Sequence, residues 1–293
     1  RDTDRSRGLG DVYKRQNNTC KEIIWPLVQD GLRAQSSAGT NFYVKAFVNG
    51  PMDELYKTGV GSRGWGNVRA KVSLVDAFDA DDVMFDGNDT WGNNKKDKRA
   101  QFMTALPNQV KDTWDVNMDM TSTFTCGYGY IKWRNVTKED ELCPSGDAYT
   151  SIDFPLFRTA DAYLMAAEAI LRGANGTQSE ALGYVNEVRT RAYMSGKYAK
   201  NGVRSDVSGE ITANELNLDF LLVERQKELA SELTRRTDLI RFGKYTKGNN
   251  WDWKNGVRLG ADVDDKYNLF PIPESELTNN PTLVQNDGYK VIK

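Results

Sequence analysis

Residues 158–192 read RTADAYLMAAEAILRGANGTQSEALGYVNEVRTRA, and their apolar side chains recur at helical spacing. The repeat covers residues 157–171 and resumes over residues 181–192, so this stretch predicts two consecutive helices. The small alanines on both segments allow the two helices to approach each other closely. The buried face is expected to comprise Phe157, Ala160, Tyr163, Leu164, Ala167, Ile170, Leu171, Ala181, Tyr184, Val185, Val188 and Ala192.

The break between the two helices carries its own sequence signals. Gly173 and Gly176 end the first helix, since glycine tolerates the backbone of a helix C-terminus. Thr177 and Glu180 have the spacing of a capping box and therefore open the second helix. A turn of about five residues between two helices predicts an antiparallel αα-hairpin.

A second pair of helical segments follows. Thr212 and Glu215 repeat the capping spacing, which predicts the start of a long helix. A shorter helical piece is expected to end at Gly243. The apolar residues assigned to these segments are Phe220, Leu221, Val223, Leu229, Leu233, Leu239, Ile240 and Phe242. Alternating helix pairs resemble tetratricopeptide-type repeats, although no full repeat signature is present. The predicted fold class is therefore mostly α, with tetratricopeptide-like helix-turn-helix pairs as a scaffold.

Composition divides the chain into three segments. Residues 1–16 resemble a non-native, adaptor-derived segment, and the native start is then expected to be missing. Residues 17–150 are predicted to form an irregular, loop-rich ligand-binding region, and residues 151–293 a helical region with an extended tail. Within these segments we expect an extended piece at 22–28, a short helix at 71–78, a loop at 80–98, short strands at 100–103 and 128–133, and a strap over the helices at 267–289.

The bulk composition excludes several classes of protein. The 293 residues contain 39 basic and 41 acidic side chains, and this balance does not favour nucleic acid as a partner. No apolar run is long enough to cross a membrane. The chain has no histidine, which excludes Ser-His-Asp, Cys-His and H-E-x-x-H sites. Two-carboxylate glycosidase chemistry remains open, because it needs only Asp and Glu.

Neither a metal nor a cofactor is expected. The chain has no P-loop and no dinucleotide-binding glycine motif. Its three cysteines lack metal-binding spacing, and Cys126 and Cys143 either form a disulfide or stay unpaired. One acidic cluster does not match a calcium loop, so solvated turn residues are the preferred interpretation. That cluster consists of Asp79, Asp81, Asp82, Asp86 and Asp89.

Charged residues are also concentrated near the second helix pair. Glu224, Glu228 and Glu232 share one helical face, and Arg225, Arg235 and Asp238 have the spacing to pair across the following turn. A catalytic cluster is the alternative, but we interpret these residues as a structural ion network. Isolated exposed pairs contribute only about 0–1 kcal/mol each, so a network that fixes helix packing is the better explanation.

Several tryptophans lie in polar, glycine-rich surroundings, unlike core tryptophans. Trp65 stands in Gly-Trp-Gly-Asn and Trp91 in Thr-Trp-Gly-Asn-Asn. An exposed indole beside amide side chains suits a ligand with one flat apolar face and several hydroxyls, such as a sugar. The candidate ligand-binding residues are Trp65, Tyr43, Trp91, Asn41, Arg63 and Asn67. The competing interpretation of Trp65 is a side chain that plugs its loop into the scaffold.

Five or more segments, in order, resemble the SusD/RagB family. They cover residues from about 19 to 293. The family's helical blocks are similar to residues 158–169, 181–192 and 224–244 (ERQKELASELTRRTDLIRFGK), and its closing motif is similar to residues 270–289, with FPIP at 270–273. Upstream landmarks are EIIW at 22–25, QSSAGT at 35–40 and GWG at 64–66. Leu233 stands where the family pattern has Gly, which affects the turn there.

The resemblance implies a function and a setting. Family members are glycan-capturing lipoproteins of Bacteroidota that lie on the outer face of the outer membrane and are not enzymes. They deliver sugars to a TonB-dependent transporter of the SusC type, and they place a sugar-stacking aromatic in the part of the chain where Trp65 stands. Roughly the first half of a family member is expected to be missing here, including the lipid-attached cysteine that would be the only membrane contact.

Two other functions remain open at this point. A two-carboxylate glycoside hydrolase needs two carboxyl groups about 5–9.5 Å apart in one cleft, and the sequence singles out no such pair near the tryptophans. A helical-repeat module that binds a protein is the third possibility. The hydrolase predicts release of product from an oligosaccharide, and the repeat module predicts that Trp65→Ala leaves the function intact.

Overall fold

The computed structural model describes residues 20–35, 39–48, 58–83, 95–103, 128–137, 141–195 and 206–290. They fall into two compact units, and the boundary along the chain lies between Leu233 and Thr234. The elements of the first unit are β1 (Ile23–Leu27), α1 (Asn41–Lys45), α2 (Val72–Val75), α3 (Ala80–Val83), β2 (Phe102–Met103), β3 (Gly129–Tyr130), β4 (Phe154–Arg158), α4 (Thr159–Leu171), α5 (Gln178–Ala192) and α6 (Leu218–Glu228). The second unit contains α7 (Arg235–Arg241) and α8 (Glu274–Asn279), with short 3₁₀ turns between them.

The predicted αα-hairpin is confirmed as α4 and α5. The Thr177 hydroxyl accepts from the Glu180 N–H at 3.2 Å, and the Glu180 carboxylate accepts from the Thr177 N–H at 2.7 Å, so the capping box is present. Tyr163 and Tyr184 stack across the two helices with ring centroids 5.6 Å apart. The buried residues between the helices are Ala160, Leu164, Ala167, Ala181, Val185 and Val188, and α6 adds Leu221 to the same core.

The start of the first helix was predicted too early. Phe157 and Arg158 belong to β4, which pairs antiparallel with β1, and α4 begins only at Thr159. Phe157 is 50% exposed and contacts the ring of Trp25 across the two strands, so its assignment to the core was wrong. Helical periodicity did not distinguish these residues, because one apolar residue fits both a helix face and a strand.

The second helix pair differs from its prediction at both ends of the long helix. Thr212 and Glu215 do hydrogen-bond at 2.8 Å, but they close a turn. The helix starts later, where the Asn217 side chain accepts from the Phe220 N–H at 2.9 Å. It ends at Glu228, so Leu229 and Leu233 lie beyond it, and Val223 is exposed instead of forming part of an apolar face. The shorter helix α7 is confirmed, with Gly243 just after its end.

Leu233 adopts the left-handed backbone expected of the glycine that it replaces. Its φ is +62° and its side chain is 70% exposed, so a bulky residue sits in an unfavourable conformation with little packing in return. A left-handed conformation destabilises the folded chain by about 1–2 kcal/mol when the residue is not glycine. Glycine removes this strain, but its greater freedom in the unfolded chain cancels part of the gain. We predict that Leu233→Gly raises the free energy of unfolding by about 0.5–1 kcal/mol. Urea denaturation tests this, and a destabilised variant would contradict it.

The loop-rich part of the first unit contains two further apolar clusters. One surrounds the fully buried Trp133 and includes Ile23, Val44 and Phe154. The other lies around the strand pair β2–β3 and includes the residues Val75, Phe78, Ala100, Phe102, Tyr128 and Tyr130. The extended piece predicted at 22–28 is confirmed as β1. The helix predicted at 71–78 and the strands predicted at 100–103 and 128–133 are present but shorter, as α2, β2 and β3. Together with the hairpin core the two clusters hold the first unit together.

The start of the predicted loop at 80–98 is helical, since α3 covers its first four residues. Residues 84–94, which include Asp86 and Asp89, lie outside the described residues. Asp82 is buried, and its carboxylate accepts from the N–H groups of Lys96 and Asp97 at 2.7 and 3.0 Å. Asp82 is therefore a structural anchor and not a solvated turn residue. Among the described residues no group of acidic or cysteine side chains has the arrangement of a metal site.

A buried ion network is centred on Glu228. Its carboxylate contacts Arg158 Nη1 at 2.6 Å, Arg99 Nη1 at 3.2 Å and Arg191 Nη2. These arginines come from β4, from the segment before β2 and from α5. Glu228 therefore joins α6 to a strand, a loop and a neighbouring helix at one point.

Neighbouring acids extend the network. Glu224 contacts Arg99 at 2.6 Å and Arg189 at 2.7 Å, and Glu232 contacts Arg158 at 2.7 Å and Lys132. The structural ion network predicted for Glu224, Glu228 and Glu232 is thus confirmed. The expectation that all three share one helical face was wrong, because α6 ends at Glu228 and Glu232 lies beyond it. Two further acids complete the network, Asp97 with Arg99 at 2.8 Å and Glu22 with Arg158 at 2.8 Å.

Two of the remaining charges of the predicted network form ion pairs that the structure describes. Arg225 contacts Asp161 of α4 at 2.9 Å. In the second unit, Asp238 contacts Arg241 of its own helix at 2.7 Å. The predicted pairing of Arg225, Arg235 and Asp238 across the turn stays a prediction.

The network changes the acidity of its members. Burial alone raises the pKa of Glu228, but Arg191, Arg158 and Arg99 outweigh burial and hold the pKa well below the ordinary value of 4.5. The same opposition lowers the pKa of Glu22 and of Asp97. Burial lowers the pKa of Lys132 to about 8, although Glu232 acts in the other direction.

We predict that acid destabilises the fold through these carboxylates. Their pKa values are lower in the folded chain than in the unfolded chain, so the unfolded chain binds protons first as the pH falls below 4.5. The free energy of unfolding should therefore fall by about 2 kcal/mol or more between about pH 5 and pH 3. Urea titrations at several pH values test this, and a Glu228→Gln variant should show a shallower fall. A stability that does not change across this range would contradict the prediction.

The second unit contains a tail with little regular structure. Gln285 exchanges two hydrogen bonds with the backbone of Ile272, at 2.8 and 2.9 Å, and the Tyr289 hydroxyl donates to Leu269 O at 2.8 Å. The tail is thus folded back on itself, and the six residues of α8 interrupt its extended course. In the described part of the chain, no helix is both long and apolar enough to span a membrane.

Candidate functional site

The backbone of the loop that carries Trp65 is tied to the end of α1. The N–H groups of Trp65, Gly66 and Asn67 donate to the carbonyls of Lys45, Val48 and Ala46 at 2.8, 2.8 and 3.0 Å. Gly66 has φ +58°, a left-handed conformation that glycine adopts without strain. Three successive anchored amides make this a fixed loop, so Trp65 and Asn67 stand beside a helix only about 7.5 Å long.

The Trp65 side chain is open to solvent. It is 39% exposed, and in the described part of the chain its indole makes no ring contact and no hydrogen bond. A tryptophan that plugged the loop into a core would be buried, as Trp133 is. The structure therefore presents a flat apolar ring with an unused N–H donor on an anchored loop.

Of the two adjacent aromatic residues on α1, one faces inward and one outward. Tyr43 stacks on Phe154 with centroids 5.0 Å apart and contacts Trp133 at 6.3 Å, so its ring belongs partly to the core. Burial raises the pKa of the Tyr43 hydroxyl. That hydroxyl has no hydrogen-bond partner among the described residues. Phe42, 49% exposed, packs edge-on against Tyr43 at 5.8 Å.

Phe42 was missed by the sequence analysis. Its exposure could have been anticipated, because consecutive residues of a helix point about 100° apart. One of two neighbouring aromatic residues on a short helix must then face away from the core. Phe42 and Trp65 thus become two exposed aromatic rings on segments joined by backbone hydrogen bonds.

A charged group flanks the loop. Arg63 Nε contacts Asp147 Oδ1 at 3.2 Å, and both side chains remain substantially exposed. Lys45 is buried below them and donates to Ala148 O. Burial lowers the pKa of Lys45, Arg63 lowers it further, and Asp147 opposes both. The exposed Arg63 guanidinium therefore keeps donor groups available beside Trp65.

The other predicted ligand residues occupy different environments. Asn67 is exposed next to Trp65. Asn41 is buried, and its side-chain oxygen accepts from the Thr150 N–H at 3.1 Å, which holds α1 on the segment below. Trp91 lies outside the described residues. The structure thus places Trp65, Arg63 and Asn67 on the loop tied to the end of α1 and Tyr43 on α1 itself, while a ligand role for each remains a prediction.

The site offers little for acid–base chemistry in the described residues. The carboxylate that contacts the Trp65 loop is Asp147, and it forms an ion pair with Arg63. Cys143 is buried, and Cys126 lies outside the described residues, so their pairing stays open. The site consists of exposed rings, a guanidinium, an amide and a hydroxyl.

This architecture is that of a mostly helical protein whose helix pairs support an irregular region with exposed aromatic residues. Residues 21–289 match the SusD family, and the chain belongs to that family. The starch-binding protein SusD of Bacteroides thetaiotaomicron is 31% identical over 299 residues, covering 93% of this chain and 50% of that protein. SusD-like protein P2 of Formosa agariphila is 32% identical over 213 residues, covering 64% and 41%.

Solved structures show the same fold. A SusD-like protein of Bacteroides fragilis superposes with a TM-score of 0.59 at 20% identity, covering 96% of this chain and 56% of that one. Surface glycan-binding protein A of Bacteroides thetaiotaomicron, in complex with laminarihexaose, has a TM-score of 0.57 at 20% identity, covering 94% and 54%. The predicted mostly helical fold class is confirmed. The chain spans about half the length of these relatives.

Proposed function

We propose that this chain captures glycan chains without cleaving them, through a surface formed by Trp65 and its neighbours. The observation that carries the proposal is the open indole of Trp65 on a loop fixed by three backbone hydrogen bonds. Family membership supports it, as do relatives described as starch-binding and as bound to laminarihexaose. In this proposal residues 17–150 carry the ligand surface and residues 151–293 form the scaffold.

The chemistry of the surface fits a pyranose ring. The C–H face of a sugar stacks on an indole, and the hydroxyls at its edge need donors and acceptors. Arg63 supplies donors, Asn67 supplies both kinds of group, and the Tyr43 hydroxyl has no described protein partner. The predicted contributions of Asn41 and Trp91 are retained as part of the proposal, the first as a support for α1.

The expected affinity is modest. Aromatic stacking contributes about 0.5–1.5 kcal/mol beyond the burial of area. Two rings with a few hydrogen bonds would bind a sugar in the micromolar-to-millimolar range, roughly 4–8 kcal/mol. Such affinity suits a protein that must release its sugar again.

The setting completes the proposal. As a SusD-family member, the chain would act at the outer face of the outer membrane and deliver its sugar to a TonB-dependent transporter of the SusC type. A lipid anchor would hold it there. No nucleic acid is involved.

We predict that native gels containing soluble starch or laminarin retard the chain, and that Trp65→Ala reduces the retardation at least about tenfold in apparent affinity. The reason is the loss of the stacking surface. Arg63→Ala should have a smaller effect, because it removes only exposed donors. Phe157→Ala, a change at a half-exposed ring that contacts Trp25 and belongs to no proposed ligand surface, is the control and should bind as wild type does. Wild-type mobility unaffected by either polymer would contradict the proposal.

A further inference from the structure

Trp253, in the second unit, has an exposed indole like that of Trp65 in the first unit. Trp253 is 41% exposed, and its indole makes no ring contact and no hydrogen bond to the described residues. It lies in a loop of residues 251–260, which we term the Trp253 loop. The proposed function does not use this side chain.

The backbone of the Trp253 loop is held in an unfavourable conformation. Trp253 has φ +63° and Asn255 has φ +58°, both left-handed. A positive φ is an outlier for a bulky residue such as tryptophan. Such conformations persist only where surrounding contacts impose them, and they concentrate at ligand-binding positions.

The contacts that impose this conformation come from within the same unit. Lys254, which stands between the two left-handed residues in the chain, is buried. Its ammonium donates to Gly248 O at 3.0 Å. The same ammonium lies 4.9 Å from the centre of the Trp251 ring. Asn255 Nδ2 donates to Asp262 O at 2.9 Å. Because Lys254 is anchored inward, its neighbour Trp253 is turned outward.

Two other residues of the Trp253 loop have polar side-chain groups without a described partner. The Trp253 backbone N–H donates to Arg258 O at 3.2 Å, so the backbones of the two residues lie side by side in the loop. The Arg258 guanidinium and the Asn255 side-chain oxygen have no partner among the described residues. A flat apolar ring, unused donors and an unused acceptor are the requirements of a sugar ring with hydroxyls at its edge.

We propose that the Trp253 loop is a second carbohydrate-binding site, which stacks a pyranose ring on Trp253 and binds its hydroxyls through Arg258 and Asn255. This inference rests on the proposed function and adds a site to it. The ligand class is the same polysaccharide that Trp65 is proposed to bind. Each site would hold its own sugar unit.

The test compares four forms of the chain in native gels with increasing soluble starch or laminarin: wild type, Trp65→Ala, Trp253→Ala and the double variant. Trp65→Ala should retain weak retardation, and the double variant should lose it. Trp253→Ala alone should weaken apparent affinity about threefold to tenfold, and Trp253→Phe should restore most of it. Mobility without polymer and near-UV circular dichroism verify that each variant is folded.

Leu259→Ser provides the matched control. Leu259 is an exposed aliphatic side chain of the same loop, so a hydrophobic docking surface would need it while a sugar-stacking site would not. The inference is overturned if Leu259→Ser weakens binding as much as Trp253→Ala. It is also overturned if Trp253→Ala binds as wild type does.

The outcomes separate this inference from the proposed function. Complete loss of retardation in Trp65→Ala alone would leave the proposed function standing and overturn the second site. If Trp253→Ala loses retardation and Trp65→Ala does not, the site at Trp253 would stand and the proposed binding surface at Trp65 would be overturned. A wild-type chain that neither polymer retards would overturn both.

Discussion

Replacing Glu228 by glutamine is expected to lower the free energy of unfolding by about 3–5 kcal/mol. The carboxylate of Glu228 is fully buried and contacts Arg99, Arg158 and Arg191. Glutamine keeps the size of the side chain but removes the negative charge, so three guanidinium groups lose a shared counter-ion in a site with little water. A domain is stable by only about 5–15 kcal/mol, so this one change would remove a large part of the total.

Urea denaturation followed by circular dichroism measures this effect. Glu210→Gln is the control, because Glu210 is exposed and lies outside the network, and it should change stability by about 0.5 kcal/mol or less. A loss below about 1 kcal/mol for Glu228→Gln would mean that the network adjusts around the missing charge. The interpretation of Glu228 as the centre of the network would then be wrong.

Phe154→Ala is expected to cost about 3–5 kcal/mol of stability and to weaken glycan binding as a consequence. Phe154 is buried between Tyr43 at 5.0 Å and Trp133 at 5.9 Å. Its removal leaves a cavity below α1, the helix whose end anchors the Trp65 loop. The ligand surface would then lose its support without losing any of its own side chains.

The same strand supplies the control for this prediction. Phe157 is the same residue type three positions further along β4, but it is half exposed, so Phe157→Ala should cost about 1 kcal/mol or less. Thermal and urea unfolding give the stability, and polymer-containing gels give the binding. Equal costs at the two positions would contradict the account of the core beneath α1.

Local signals predicted the helical scaffold well. The capping box at Thr177 and the helical spacing of the apolar residues after it depend only on neighbours in the chain, and the structure contains both. The end of α7 at Gly243 was predictable for the same reason. The predicted start of the long helix was wrong, because the same residue spacing can either cap a helix or close a turn. Thr212 and Glu215 have the right spacing for a helix cap, yet the structure uses them to close a turn.

Long-range contacts were not predictable from the sequence. Glu224 and Glu228 of α6 were recognised as part of an ion network, but their arginine partners come from segments 35 to 129 residues away along the chain. Phe157 appeared apolar and therefore buried, whereas pairing of β4 with β1 turns it outward. At the candidate site, Trp65 was found from its polar, glycine-rich surroundings. Helix geometry indicates that one of the two adjacent rings of α1 faces outward, but the packing of Tyr43 on Phe154 decides that this ring is Phe42.

Saturation-transfer difference NMR with laminarihexaose and a maltooligosaccharide tests the central claim most directly, because it detects weak binding and shows in the same sample whether the sugar stays intact. We predict transfer from the chain to ring protons of at least one oligosaccharide, strong loss of that transfer in Trp65→Ala, and no new reducing-end signals over time. No transfer to either sugar would contradict capture by this surface, and new reducing-end signals would show that the chain cleaves what it binds.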